Sequence, residues 1–339
     1  MRKINLLTFA LVTLVALTSM KQDRVITIFM VGDSTMANKD IRGDKQERGW
    51  GMALQCYFDD GILVDNHAMN GRSSKSFIDE GRWQKVLDKI RPGDYVVIQF
   101  GHNDEKPKAD RHTDPGSTFD ANLRRMVKES RERGAKPILM NAVVRRNFFI
   151  QAPVNNDDEA LRNTVAANID KPRTDLQQEG DVLIDTHGAY LISPRNVAIE
   201  TGTPFVDANC ITHKLEQGLG RDGSKRLHMI FKKGEHPSMP DGRNDNTHYS
   251  IYGAHTVAKL LAKAMADEVP ELRRHLIEND VVSVASNGIG DFFDPQKAVD
   301  AQPDGQRTVI QLFEGEWQRP VTGKKKIKFV LRQGASWKK

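Results

Sequence analysis

Short apolar runs alternate with amphipathic stretches along most of the chain. Buried strands are predicted at residues 25–31, 62–64, 95–100, 137–140 and 204–207. Helices are predicted at residues 119–133, 188–201 and 251–268. Alternation of strands and helices is typical of a parallel sheet that is covered on both faces. We therefore predict an α/β fold with a parallel sheet of about five strands and helices on both faces.

Two polar residues lie within a few residues of the ends of predicted strands. Ser34 comes after the first strand and Asn103 comes after the strand at 95–100. Ligands of such sheets bind beyond the carboxyl ends of the strands, so both residues are expected at that edge. The polar stretch 151–180 predicts loops and a short helix near the same edge. Residues 236–245 are rich in Pro, Gly and Asn and predict an irregular loop.

The character of the chain changes after about residue 280. Short β-like segments follow one another, and residues 326–331 alternate between polar and apolar side chains. We place a main domain at 24–279 and a short β-rich segment at 282–339. Apolar residues such as Ile310 and Phe313 have few neighbours within so short a segment. We therefore expect it to be loosely ordered and dispensable.

The first twenty residues have the pattern of a secretory signal peptide. Arg2 and Lys3 precede the apolar run 4–17, and small residues follow it. The run is too short to favour a membrane span. We expect residues 1–20 to be cleaved and the mature protein to be exported, to the periplasm or the exterior, without stable insertion in a membrane.

The net charge of +5 comes from the two ends of the chain. The leader carries two positive charges, residues 318–339 carry eight, and neither contains an acid. The remaining residues carry about −5. A nucleic-acid partner requires a basic face on the folded domain, so we do not expect one.

Cysteine and histidine usage argues against a metal. Cys56 lies in a predicted helix and Cys210 follows a predicted strand. We expect two unpaired, buried thiols, with a disulfide between them as the alternative. Two cysteines are too few for a structural zinc site, and the histidines do not group at metal-ligand spacing.

Three polar residues have the chemistry of a catalytic triad. A histidine needs a carboxylate on one ring nitrogen before its other nitrogen can deprotonate a serine. Asp245 and His248 are three residues apart, close enough for one loop to present both to Ser34. The backbone N–H groups of Ser34 and Gly71 and the side-chain amide of Asn103 are candidate oxyanion donors. The alternative for each residue alone is structural, as a helix-capping serine or a turn glycine or amide.

Five segments together resemble a known group of enzymes. They are Gly-Asp-Ser-Thr-Met-Ala at 32–37, Arg-Gly-Trp-Gly at 48–51, Gly-Arg-Ser-Ser-Lys-Ser-Phe at 71–77, Phe-Gly-His-Asn-Asp at 100–104 and Asp-Asn-Thr-His at 245–248. In this order and spacing they resemble the GDSL/SGNH hydrolase superfamily, and within it the rhamnogalacturonan acetylesterases, over roughly residues 24–276.

The resemblance implies a flavodoxin-like SGNH hydrolase fold and a serine esterase that needs no cofactor. Its implied substrate is an acetylated pectic polysaccharide, attacked by Ser34 to give an acyl-enzyme. The alternatives are an SGNH esterase, lipase or deacetylase acting on another short-chain ester such as acetylated xylan, and a non-catalytic carbohydrate-binding relative.

Four further residues have side chains suited to binding an acidic sugar polymer. Arg72 and His102 are candidates, with packing or loop bracing as the alternative. Arg145 and Arg146 could meet uronate carboxylates, but a solvated pair is expected. The segment 282–339 resembles the first rungs of a pectin methylesterase β-helix. That family's catalytic carboxylates would lie further along such a chain, so we expect no methylesterase activity here.

Overall fold

The structure, a computed structural model, describes residues 24–148 and 182–339. Its strands are β1 (Ile26–Gly32), β2 (Glu47–Arg48), β3 (Ile62–Asn66), β4 (Tyr95–Gln99), β5 (Lys136–Met140), β6 (Phe205–Val206), β7 (His228–Phe231), β8 (Arg243–Ser250), β9 (Val281–Val284), β10 (Arg307–Leu312), β11 (Gly315–Trp317), β12 (Lys326–Leu331) and β13 (Ala335–Trp337). Its helices are α1 (Trp50–Ala53), α2 (Ser74–Asp79), α3 (Arg82–Leu87), α4 (Thr118–Glu132), α5 (Ile192–Thr201), α6 (Ala208–Gly223), α7 (Ile251–Glu268), α8 (Pro270–Arg273) and α9 (Pro295–Asp300). The predicted leader at 1–20 and the polar segment 151–180 lie outside the described residues.

Five parallel strands form the main sheet, in the order β3-β1-β4-β5-β6. Alternate residues of β1 point to opposite faces, because side chains alternate along a strand. Met30 packs into one core with Leu261 of α7, and Val31 packs into the other with Phe119 of α4. The predicted five-stranded parallel sheet with helices on both faces is confirmed.

Strand β3 lies at one edge of this sheet, and a side chain covers part of its free side. The Gln55 amide donates to the carbonyl of Ile62 at 2.9 Å. Its oxygen accepts from the backbone N–H of Val64 at 2.8 Å. Gln55 lies in the 3₁₀ turn Leu54–Tyr57. One amide therefore makes the two bonds that a neighbouring strand would make.

The C-terminal segment is built from parallel strands. β10 pairs with β9 on one side and β12 on the other, and β11 pairs with β13. Helix α9 packs beside them, and the segment has a small core that contains Ile310 and Trp317. Ile310 is fully buried and Phe313 is 8 % exposed. The expectation that these side chains lack neighbours was wrong, because Phe313 packs into the core of the main domain.

Polar contacts also join the C-terminal segment to the main domain. The Arg332 guanidinium donates to Asp60 Oδ1, Gln311 Oε1 and the carbonyl of Phe58, each at 2.7 Å. Gln311 donates to the carbonyl of Cys56 at 2.8 Å. These bonds attach the C-terminal segment to backbone carbonyls and one carboxylate in the residues that follow α1.

Both cysteines are free thiols, as predicted. Cys56 is buried in the 3₁₀ turn Leu54–Tyr57, and burial raises the pKa of its thiol. Cys210 lies in the first turn of α6 and is half-buried, so the expectation of a second buried thiol was wrong.

Within residues 24–148 and 182–339, no helix has the length and apolar character needed to cross a membrane.

Candidate active site

Ser34 lies in a tight turn at the point where β1 leaves the sheet. The turn is held by Asp33, whose Oδ1 accepts from the backbone N–H of Thr35 at 2.9 Å and from its hydroxyl at 2.8 Å. Asp33 is fully buried, and burial raises the pKa of its carboxyl. Its hydrogen bonds support the turn, and this leaves the half-buried Ser34 at the carboxyl edge of the sheet.

Asp245 and His248 lie on β8, in a three-stranded antiparallel sheet with β2 and β7. The pairing of β7 with β8 jumps from His228–Tyr249 to Met229–Asp245. Residues 246–248 therefore bulge from the ladder, and a bulge redirects the side chains it carries. The prediction that an irregular loop carries Asp245 and His248 was wrong. Both residues lie on β8, and the Pro- and Gly-rich residues form the turn that precedes this strand.

The structure brings the three predicted residues into one hydrogen-bonded chain. His248 Nε2 lies 2.9 Å from Ser34 Oγ. His248 Nδ1 lies 2.8 Å from Asp245 Oδ2. With the proton on Nδ1 held by the carboxylate, Nε2 accepts the hydrogen bond of the serine hydroxyl. An imidazole in this position can take the serine proton.

Asp245 is held as an ionised acceptor. Its Oδ1 accepts from the backbone N–H groups of Thr247 and His248 at 2.9 and 3.0 Å. Its Oδ2 also accepts from Arg243 at 2.6 Å. Burial alone would raise the pKa of Asp245, but the hydrogen bonds from His248 and Thr247 hold it well below its usual range. The Asp245 carboxylate is therefore ionised at any pH at which His248 can be a neutral base.

Two candidate oxyanion donors lie on neighbouring loops. Gly71 has φ of +75°, in the left-handed region that favours glycine. The Asn103 side-chain amide donates to the carbonyl of Arg72 at 3.1 Å. A primary amide has two N–H groups, so this bond orients Asn103 and leaves one N–H for another acceptor.

Asp104 fastens these two loops together. Its Oδ1 accepts from the backbone N–H of Ser74 at 3.0 Å and from the Ser74 hydroxyl at 2.6 Å. It also accepts from the Thr113 hydroxyl at 3.0 Å. Burial raises the pKa of Asp104 to about 7, against these hydrogen bonds. Asp104 thus fixes the distance between the loop that carries Gly71 and the loop that carries Asn103.

A cavity of about 440 Å³ connects Ser34, Asn103 and His248. Lys106 and Arg145 also line it. The prediction that Arg145 and Arg146 are solvated was wrong, because both side chains are buried. Arg145 forms an ion pair with Glu105 at 2.6 Å. Arg146 donates to the Asn246 side chain at 2.9 Å and so braces the bulge.

The two tentative substrate contacts lie in different surroundings. His102 lines the cavity but is 3 % exposed. Its Nδ1 lies 2.9 Å from His187 Nε2, and His187 Nδ1 lies 2.9 Å from Asp185. Burial and the neighbouring His187 lower the pKa of His102, so its ring is neutral. Arg72 is instead paired with Glu80 at 3.0 Å.

Sequence reasoning did not find Arg243, Asp185 or His187. Arg243 stands two residues before Asp245, and that spacing on a strand was the available indication. Asp185 and His187 follow a weakly patterned stretch that gave none. In the part of the chain that the structure describes, no cluster of three His, Cys, Asp or Glu side chains could hold a metal ion.

Known proteins resemble this chain in sequence and fold. Residues 30–240 match the GDSL-like Lipase/Acylhydrolase family. Rhamnogalacturonan acetylesterase RhgT of Bacillus subtilis is 35 % identical over 255 residues, which are 75 % of this chain and 96 % of that protein. The probable rhamnogalacturonan acetylesterase YesY of the same organism is 30 % identical, over 71 % of this chain and 92 % of that one.

A crystal structure of the Bacillus subtilis protein YxiM has a similar fold. Its TM-score is 0.51 and its sequence identity is 25 %, over 74 % of this chain. This chain spans 56 % of the length of that protein. With the family match covering more than half of its length, the chain belongs to the GDSL-like lipase/acylhydrolase family.

Proposed function

We propose that this protein is a serine esterase that removes acetyl groups from a rhamnogalacturonan-type pectic polysaccharide. The observation that carries the proposal is the hydrogen-bonded chain from Ser34 through His248 to Asp245. The named activity of RhgT supports the acetyl group and the pectic backbone as the substrate.

In the first step, His248 takes the proton of Ser34 as its hydroxyl oxygen attacks the acetyl carbonyl. Asp245 keeps the proton on Nδ1 and stabilises the imidazolium that forms. When the tetrahedral intermediate collapses, His248 donates its Nε2 proton to the sugar oxygen that leaves. The products of this half-reaction are the deacetylated hydroxyl and an acetyl ester on Ser34.

Negative charge develops on the carbonyl oxygen during both half-reactions. The backbone N–H groups of Ser34 and Gly71 and the free amide N–H of Asn103 receive it. Loss of one such donor typically lowers kcat by about 10²–10³. In the second half-reaction His248 deprotonates a water molecule, which releases acetate and restores Ser34.

Within this proposal His102 contacts the substrate, whereas Arg72 has an indirect role. The chain Asp185–His187–His102 assigns a proton to Nδ1 of His102, which leaves its Nε2 as an acceptor. Nε2 makes no hydrogen bond within the described part of the chain. A sugar hydroxyl is the matching donor. Arg72 contributes by fixing the loop of Gly71 rather than by binding directly.

The experiment compares the wild-type chain with Ser34→Ala and His248→Ala. Both variants should lose roughly 10⁴-fold or more in kcat on 4-nitrophenyl acetate while keeping the wild-type circular dichroism. Ser117→Ala, which removes an exposed hydroxyl from the start of α4, is the matched control and should be fully active. An active, folded Ser34→Ala variant would disprove the mechanism.

The substrate is tested by acetate release from acetylated rhamnogalacturonan and from acetylated xylan. The proposal expects kcat/KM to be larger on rhamnogalacturonan. A preference for xylan would retain the esterase chemistry and replace the proposed polysaccharide. Binding of either polymer without acetate release would instead identify a carbohydrate-binding relative.

The remaining proposals concern the two ends of the chain. Residues 1–20 act as a secretory signal, so the enzyme works outside the cytoplasm, where pectic polymers occur. Residues 24–279 form the hydrolase domain, and 282–339 correspond to the opening rungs of a pectin methylesterase-like β-helix. The parallel pairing of β9, β10 and β12 supports the last assignment.

A further inference from the structure

A chain of alternating charges runs away from the catalytic carboxylate. Arg243 donates to Asp245 Oδ2 at 2.6 Å and to Glu47 Oε2 at 2.7 Å. Glu47 Oε1 in turn lies 2.9 Å from Lys39 Nζ. Arg243 therefore sits between two carboxylates, one of which holds the imidazole of His248.

Arg243 and His248 share the same oxygen atom. Both bind Asp245 Oδ2, at 2.6 and 2.8 Å, while Oδ1 accepts the two backbone N–H groups of the bulge. Oδ2 thus accepts hydrogen bonds from both a guanidinium and an imidazole. Two groups that compete for one acceptor each weaken the hold of the other.

We propose that Arg243 and Glu47 are positioning residues that set the strength of His248 as a general base. The inference rests on the proposed function, because it assumes that His248 takes the proton of Ser34. Arg243 repels the imidazolium and weakens its bond to Asp245. Glu47 draws Arg243 in the other direction and compensates its charge. Together with Asp245 they orient the imidazole and set how readily it accepts the serine proton.

The sign of each contribution follows from its charge. Removing Arg243 removes a cation, so the imidazolium becomes more stable and activity is lost at a higher pH. Removing Glu47 leaves the Arg243 cation uncompensated, so the imidazolium becomes less stable and activity persists to a lower pH. Burial alone would raise the pKa of Glu47, but the charges of Lys39, His248 and Arg243 together with the Lys39 hydrogen bond lower it, so Glu47 is charged in this range.

Other charged or titratable groups also face His248, from every element around it. Apart from Asp245 and Arg243 they are Asp33, Lys39, Glu47, His102, Lys106 and Arg145. Among these, Glu47 and Lys39 reach the carboxylate through Arg243. A change at Arg243 or Glu47 therefore alters the field at His248. Glu47→Gln also removes the ion-pair partner of Lys39, and the uncompensated Lys39 charge acts in the same direction as that of Arg243.

The test is the pH profile of kcat/KM on 4-nitrophenyl acetate, a small neutral ester that needs no cationic contact. Arg243→Gln should move the acid limb up by roughly 0.5–1 pH unit, the size expected for one charge in a partly exposed site. Glu47→Gln should move it down by a similar amount. Arg243→Lys should leave the limb near its wild-type position, and the double variant should return to within a few tenths of a unit.

The control is Arg124→Gln, which removes a partly exposed cation of α4 that is paired with Glu200 of α5 and should leave the acid limb unchanged. Acid limbs that stay in place, or that move in the same direction in both single variants, would overturn the proposal. So would an Arg243→Gln variant that changes only KM for an acidic polysaccharide, since Arg243 would then bind substrate. If Arg243→Gln does not fold, the downward shift in Glu47→Gln still decides the matter. An active Ser34→Ala variant would instead refute the proposed function, which keeps the two failures distinct.

Discussion

Arg332→Ala should destabilise the hydrolase domain, although residue 332 lies far along the chain from every candidate catalytic group. Arg332 is 7 % exposed, and its guanidinium donates to Asp60, Gln311 and the carbonyl of Phe58. It also lies over the Phe313 ring, 4.8 Å from the centroid. Alanine removes all of these contacts at once.

The magnitude can be estimated from the atoms left behind. The Phe58 carbonyl and the Gln311 amide oxygen each lose a buried donor, which costs about 1–3 kcal/mol apiece. The lost contact with the Phe313 ring adds about 0.5–1 kcal/mol. The bond to Asp60 adds little, because that carboxylate is 47 % exposed and well screened. Together these losses lower the expected free energy of unfolding by about 2.5–7 kcal/mol.

The assay is urea unfolding followed in parallel by esterase activity and by tryptophan fluorescence. Trp317 and Trp337 lie in the C-terminal segment, whereas Trp50 and Trp83 lie in the main domain. Both signals should shift to lower urea together in Arg332→Ala. Arg319→Ala is the matched control, because Arg319 is exposed and contacts only the Trp337 ring among the interactions described.

Unchanged urea dependence of activity in Arg332→Ala would refute the reasoning. The segment would then unfold separately, and the expectation that it is dispensable would hold. The same experiment therefore tests the proposed boundary between 279 and 282.

Two further predictions concern the site. Asn103→Ala should lower kcat by about 10²–10³ with little change in KM, because the oxyanion exists chiefly in the transition state; a change confined to KM would make Asn103 a substrate contact. Burial alone would raise the pKa of Asp185, but the side chain of His187 and the backbone N–H groups of His187 and Gly188 together lower it to about 2. A lowered carboxyl pKa stabilises the fold above pH ~4 and ceases to do so as the pH falls to about 2, so the wild type should lose about 2 kcal/mol over this interval that Asp185→Asn does not lose. Acid titration of stability that is identical in both proteins would contradict this.

The main sheet and its helices follow from local patterns. The predicted helix at 251–268 coincides with α7, and the five predicted strands all occur within one or two residues of their expected ends. Apolar periodicity is a local property, so a short window of sequence contains it. The order of the motif segments likewise identified Ser34, Asp245 and His248 as a group, and the structure brings them within hydrogen-bonding distance.

The features that were missed depend on contacts between distant segments. The bulge at 246–248 arises because β7 pairs with residues on both sides of it, and no local pattern encodes that register. Arg145 and Arg146 are buried because Glu105 and Asn246 approach them from elsewhere in the chain. The burial of Phe313 depends on a surface of the main domain that only the folded chain presents.

Gln55 affects how these molecules behave toward one another at high concentration. An exposed edge strand can pair with a strand from another chain, which is a common route to aggregation. The carbonyl of Ile62 and the N–H of Val64 are already bonded to the Gln55 side chain, so they offer nothing to an incoming strand. An ion pair between Asp65 and Lys89 places charge at the next position. Intermolecular extension of the main sheet is therefore opposed at β3 by one amide and one ion pair.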